Sequence, residues 1–168
     1  FEESLSFKFL KALNDLKALV NKIAIALRYS GELSLNTSPE RVRRTLFQID
    51  ELIKCLPGYK RHEMFNERKA KIVVEVVIGP ISGDVDIMAD IVFDNDIVIK
   101  GEGSGLLSKM SFVLKLKIEE KEKGALLKWS FEGVLEGLAA KFDKRLIDYV
   151  AQTWIDKMKD ELRKKLEF

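Results

Sequence analysis

The chain has 168 residues, 46% of them apolar and 33% charged, with 29 Lys and Arg against 27 Asp and Glu. That length and balance describe one globular domain with a sizeable core, and exclude a disordered chain or a nucleic-acid binder marked by its net charge. The lone Cys55 excludes an internal disulfide framework and fits a reducing, cytoplasmic compartment. No apolar run nears the ~20 residues of a membrane-spanning helix, and the opening FEESLSFKFLK lacks the pattern of a secretory signal.

At the N-terminal end two periodicities overlap. Phe9, Leu13, Leu16, Val20, Ile23 and Leu27 are spaced by four and three, one helical stripe. Ile23, Ile25, Leu27, Tyr29, Leu33 and Leu35 alternate, as in a half-buried strand. The spacing therefore predicts a helix over 6–21 and a strand over 24–35. In NTSPERVRRTLFQ, Ser38 before Pro39 reads as an N-cap with proline at the first helical position, and Thr37 with Glu40 offers a capping box one register earlier. Asp50 is expected to cap a second short helix, ELIKCL, which Pro57 and Gly58 end.

From there to about residue 135 the period becomes two. Ile72, Val74, Val76 and Ile78 alternate, as do Val85, Ile87, Ala89, Ile91 and Phe93, then Met110, Phe112, Leu114, Leu116 and Ile118, then Leu127, Trp129 and Phe131. Turn signals GPISG, DND and KEKG separate the runs, so they form an antiparallel meander with one apolar face. The last element is a helix predicted over 137–164, with Leu138, Phe142, Leu146, Val150, Trp154, Met158 and Leu162 recurring every fourth residue. Such a helix is roughly 40 Å long. A curved antiparallel sheet wrapped round one long helix is an α+β arrangement.

The stretch IKGEGSGLLSKM, residues 99–110, has the look of a phosphate-binding loop. The dinucleotide fingerprint needs a glycine where Leu106 stands and a helix afterwards, and the run that follows alternates as a strand. Gly101, Gly103 and Gly105 share one face, where missing side chains let a strand bend or another group approach.

The segments YSGELSLNTSPERV, LIKCLPGYK, VVIGPISGDVDI, IKGEGSG and KRLIDYVAQTWIDKM come in an order and spacing that resembles the CoxG subunit of carbon monoxide dehydrogenase, within the START-type helix-grip (SRPBCC) superfamily. The resemblance covers about residues 26–165, making 25–168 the helix-grip domain and 1–24 an extension outside it. It implies a curved sheet of six to seven strands, two short helices after the first strand, and an apolar cavity against the long C-terminal helix. It further implies an accessory protein for a molybdenum-hydroxylase-type redox enzyme, concerned with recruiting it to the membrane, with a hydrophobic cargo such as a lipid or isoprenoid quinone. It implies no cofactor.

The residues expected to face that interior are Tyr29, Phe93, Met110, Phe112, Trp129, Phe131, Phe142, Leu146, Tyr149, Val150 and Trp154. The tyrosine hydroxyls and the indole N–H groups are the few polar anchors of such a lining. Taken singly, each residue reads first as part of a solid core, and with such a core the chain reads as an assembly subunit without a ligand. Catalytic candidates are sparse: His62 is the only histidine and Cys55 has no recognisable partner. Asp84, Asp86 and Asp90 lie opposite Val85 and Ile87, on a solvated face. An enzyme of the same fold, cyclase- or hydratase-like, would require Glu75, His62 or Asp90 to point inward.

The N-terminal stripe can pack on its own domain, pair with a second copy or lie on a membrane. Its polar face mixes Lys8, Lys11, Lys17 and Lys22 with Asn14 and Asp15, and docking on protein is the favoured reading. On the last helix Lys141, Lys144, Arg145, Asp148, Asp156, Lys157, Lys159 and Asp160 read as a solvated face.

Overall fold

Alternation over residues 24–35 becomes β1 (Ala24–Leu35), whose Leu27, Leu33 and Leu35 are buried while the residues between them meet water. The computed structural model describes the backbone of residues 2–21 and 23–167, and the side chains of residues 4–16 and 23–167. Ahead of β1 lies α1 (Glu2–Asn21), longer at its start than the predicted helix. Lys17, Val20 and Lys22 of its predicted faces fall outside the described side chains.

After β1, Ser38 caps α2 (Pro39–Phe47) as expected, its hydroxyl accepting from the Arg41 amide at 3.2 Å. The second short helix, α3 (Ile49–Ile53), starts after Gln48, so Asp50 lies inside it and is not its cap. The Asp50 carboxylate is held instead by the His62 ring.

The remaining strands are β2 (Tyr59–Asn66), β3 (Lys69–Ile78), β4 (Ile81–Phe93), β5 (Ile97–Gly105), β6 (Ser108–Lys121) and β7 (Gly124–Gly137). All neighbours pair antiparallel in the spatial order β1-β7-β6-β5-β4-β3-β2. The first strand thus pairs with the last, from Ala24 opposite Glu136 to Leu35 opposite Ala125. α2 and α3 carry the chain from one edge of the sheet to the other.

The end of the chain differs from the expectation. Leu138–Lys141 form a single 3₁₀ turn, and α4 (Lys144–Glu167) begins only after Asp143. Asp143 accepts the Arg145 amide at 2.8 Å, the N-cap interaction that sets where α4 starts. Leu138 and Phe142 therefore belong to the entry turn and not to the helical stripe. Two apolar clusters form the core. One joins α2 and α3 to Leu33, Leu35, Leu127 and Leu166, and the other joins Leu27, Leu135 and Ile147 to Ala139 and Ala140 of the 3₁₀ turn.

The hairpin between β5 and β6 turns on Leu106 and Leu107, both left-handed (φ 54° and 53°). Turns of this kind normally take Asn or Gly. Here the Leu107 carbonyl accepts the Leu138 amide at 3.0 Å, and Ser108 Oγ donates to the Leu106 carbonyl while accepting the Ala139 amide. Those bonds hold the strained tip against the 3₁₀ turn.

The glycine run is a strand, as predicted, and Gly101 has a specific role. A Cβ there would lie 2.2 Å from Cζ of Phe112, whose ring occupies the space above it. Gly101→Ala should cost about 1–3 kcal/mol through the displaced ring. Phe112→Leu in the same chain should recover much of that loss in urea unfolding. Strictly additive losses would show that the two positions are not coupled.

Candidate functional site

Opposed residues on neighbouring strands project to the same side of a sheet, so the registers lay out the inner face in rows. One row holds Tyr29, Phe131, Leu114 and Ile99; the next holds Leu27, Gly133, Phe112, Gly101 and Ala89; a third holds Gly31, Trp129, Leu116 and Ile97. Large rings thus sit beside positions with little or no side chain. Phe112 leans over Gly101 and stacks on Phe131 with ring centroids 5.5 Å apart, and Phe131 meets Tyr29 at 6.3 Å. Trp129 leans over Gly31, where an added Cβ would lie 2.8 Å from the indole. Tyr29, Phe112, Trp129 and Phe131 form a half-buried aromatic row.

The expected lining residues divide by position. Phe93 and Trp154 pack against the first core cluster, while Tyr29, Met110, Phe131 and Phe142 pack against the second. Phe112, Trp129, Leu146 and Val150 join neither cluster and stay half-buried. Tyr149 is the correction: it is 71% exposed and lines nothing. At about 100° per residue it lies ~200° round the helix from the buried Ile147, on the opposite side of α4. Ile147 and Leu166, absent from the predicted stripe, are the fully buried residues of this helix.

Charged groups of α4 border the aromatic row. Tyr29 donates to the Asp148 carboxylate at 2.7 Å, and Lys144 bonds the same oxygen. Lys144 Nζ also stands 5.6 Å from the centre of the Tyr29 ring, and Lys159 Nζ stands 5.9 Å from that of Trp129. These side chains, which the sequence places on a solvated face, thus form a polar rim. The signal for the Tyr29 contact is an inward tyrosine on a strand, which needs a partner for its hydroxyl. Hydrogen bonds from Lys144 and then Tyr29 hold the Asp148 carboxyl below the usual carboxylate range. Burial, reinforced by the bond to Asp148, pushes the Tyr29 phenol up, so it stays a neutral donor.

His62 is the one candidate that points inward, opposite Ile72 on β3, with only 8% of its side chain exposed. Its Nδ1 meets the Tyr59 hydroxyl at 2.6 Å and its Nε2 meets Asp50. Both ring nitrogens are therefore occupied, and the ring ties α3 to the edge strand β2, five strands from β7. Glu75 and Asp90 are exposed, as are Asp84 and Asp86. Lys60 pairs with Asp84 at 2.7 Å on that outer face. Burial pushes the Cys55 thiol up, which disfavours the reactive thiolate. Two open depressions, one lined by residues 36–40 and 120–124 and one by 54–57 with 157, 160, 161 and 164, carry mainly polar and charged groups. Neither includes the aromatic row.

The family profile of CoxG, the G-type subunit of carbon monoxide dehydrogenase, matches residues 31–167. A conserved protein from Geobacillus kaustophilus has a similar structure: TM-score 0.77 at 19% identity, over 84% of this chain and 95% of the other. A START superfamily protein from Mycobacterium smegmatis gives 0.63 at 12% identity, over 84% and 97%. An aromatase/cyclase from Streptomyces sp. R1128 gives 0.65 at 7% identity, over 85% and 94%. At these identities the likeness is one of fold. Comparison with curated protein sequences finds no match.

The rim predicts a titration. Because its folded-state pKa is depressed, Asp148 contributes stability that is present above the ordinary aspartate value of about 3.9 and is lost as pH falls through the folded value. Tyr29→Phe removes one donor, so carboxyl-detected NMR should find Asp148 titrating at higher pH than in the parent. An unmoved titration would show that the Tyr29 bond does not form in solution.

Proposed function

Since the chain belongs to the CoxG family of carbon monoxide dehydrogenase subunits, we propose that it binds an apolar small molecule between the aromatic row and α4. The ligand is of the lipid or isoprenoid-quinone class, and the protein acts as an accessory or carrier for a molybdenum-hydroxylase-type redox enzyme. The observation that carries this reading is that Phe112, Trp129, Leu146 and Val150 belong to neither core cluster and remain half-buried. Among the described residues no polar or charged residue is fully buried, so the interior suits an apolar body. Tyr29, Asp148, Lys144 and Lys159 at its edge are placed for a polar head.

Binding suits this interior better than catalysis. His62, the inward polar group that an enzyme of this fold could use, spends both nitrogens on Tyr59 and Asp50. A quinone or lipid cargo also fits peripheral work at the cytoplasmic side of a membrane. Among the described residues no helix is long and apolar enough to cross one.

Native mass spectrometry of the purified chain, beside mass spectrometry of a gentle solvent extract, tests the proposal. A stoichiometric quinone or lipid is the expected result. A chain that arrives empty and ignores added quinones and fatty acids would favour an assembly subunit with a filled core. Truncations give a second measure. Leu127→Ala, in the solid core, should cost about 2–5 kcal/mol. Phe112→Ala and Trp129→Ala should each cost distinctly less than the ~3–5 kcal/mol of aromatic truncations in filled cores. Full losses at both positions would count against a ligand site at the aromatic row.

A further inference from the structure

α1 leaves six large apolar side chains in water: Leu5 (57% exposed), Phe7 (69%), Phe9 (66%), Leu10 (56%), Leu13 (40%) and Leu16 (54%). Its packing against the rest of the chain is chiefly with β7. Leu5, Phe9, Leu13 and Leu16 fall within about 80° of one another round the helix and together present on the order of 400 Å², a patch of the size that marks an interaction site; Leu10 and Phe7 lie farther round, Phe7 on the opposite side.

The pattern within the patch says what covers it. Leu5, Phe9, Ala12 and Leu16 are spaced four, three and four apart, the alternation that marks a coiled-coil seam. Lys8 and Asp15 stand seven apart, so they share one flank of that seam. When two such helices run antiparallel, Leu5 meets Leu16 of the second copy and the large Phe9 meets the small Ala12. The same register sets Lys8 against Asp15 of the second copy, twice by symmetry. A parallel pair would instead set Lys8 beside the apolar Leu13 of its partner. Size and charge are therefore self-complementary in one orientation. A lipid surface would reward a uniformly basic flank, and Asp15 interrupts it.

We infer that α1 pairs antiparallel with α1 of a second copy of this chain, forming a two-fold dimer through a helix outside the family match at 31–167. The dimer is independent of the ligand reading, since none of its contacts involves the aromatic row.

Sedimentation velocity on the full chain over a concentration series tests it. The parent should be a dimer at micromolar concentrations. Lys8→Asp and Asp15→Lys each turn two attractions into two repulsions and should raise the dissociation constant about tenfold. The double variant Lys8→Asp/Asp15→Lys should return it close to the parent value. Circular dichroism on each variant checks that the domain stays folded. A parent that is monomeric at about 100 µM overturns the inference, whether or not it co-sediments with phosphatidylcholine–phosphatidylglycerol vesicles. So does a dimer indifferent to both single reversals, or one that the double variant fails to restore.

Discussion

The pairing of β1 with β7 is the constraint on which the rest of the structure depends. It joins residues 24–35 to residues 125–136 across nearly the whole domain. Loop closure grows costlier only slowly with length, and the long continuous register offsets it. Once the first strand is fixed beside the last, β2 is left at the opposite edge of the seven-stranded sheet. α2 and α3 must then bridge the two edges, and α4 is left to cover the concave side. α4 reaches both core clusters, through Leu166 in the one it shares with α2 and α3 and through Ile147 in the other.

The inner face is shaped by what is missing from it. Gly31, Gly101, Gly133 and Ala89 are inward positions with almost no side chain. The rings beside them lean into that space, as Phe112 does over Gly101 and Trp129 over Gly31. Buried apolar surface stabilises by roughly 25 cal/mol per Å². Half-buried rings therefore leave part of their stabilisation unrealised in the free protein. A ligand that covered them would recover that part, which ties its affinity to the same packing that shapes the sheet.

Much of this was legible in the sequence because period-two alternation over long runs has one strong reading. The strands, the Ser38 cap and the close approach of another group at a glycine all follow from local pattern. The last helix was misread at its start because an every-fourth-residue repeat runs smoothly from Leu138 through Phe142. The helix geometry is instead set by the Asp143 cap, a single local hydrogen bond. Tyr149 stands outside that stripe, next to Val150, and its exposure follows from the ~200° that separates it from the buried Ile147. The rim was illegible for another reason. Lys144, Asp148 and Lys159 are ordinary surface residues on a helix considered alone, and only the crossing of α4 past β1 and β7 brings them to Tyr29 and Trp129. His62 likewise became an inward residue only through its pairing with Ile72.

The distribution of charge bears on the binding role proposed for this scaffold. Acid–base chemistry needs a titratable group inside, aimed at a substrate, with its pKa tuned by burial or a neighbour. Here the carboxyls of Asp50, Asp143 and Asp148 are held low mainly by hydrogen bonds that consume them structurally: a tie to His62, a helix cap and a rim contact. The phenol of Tyr29 is shifted away from any role as a base at neutral pH. Polar groups hold elements together at the margins, while the inner face offers rings and methyl groups. An interior of that kind is suited to recognising shape and apolar area, in keeping with the binding role proposed for it.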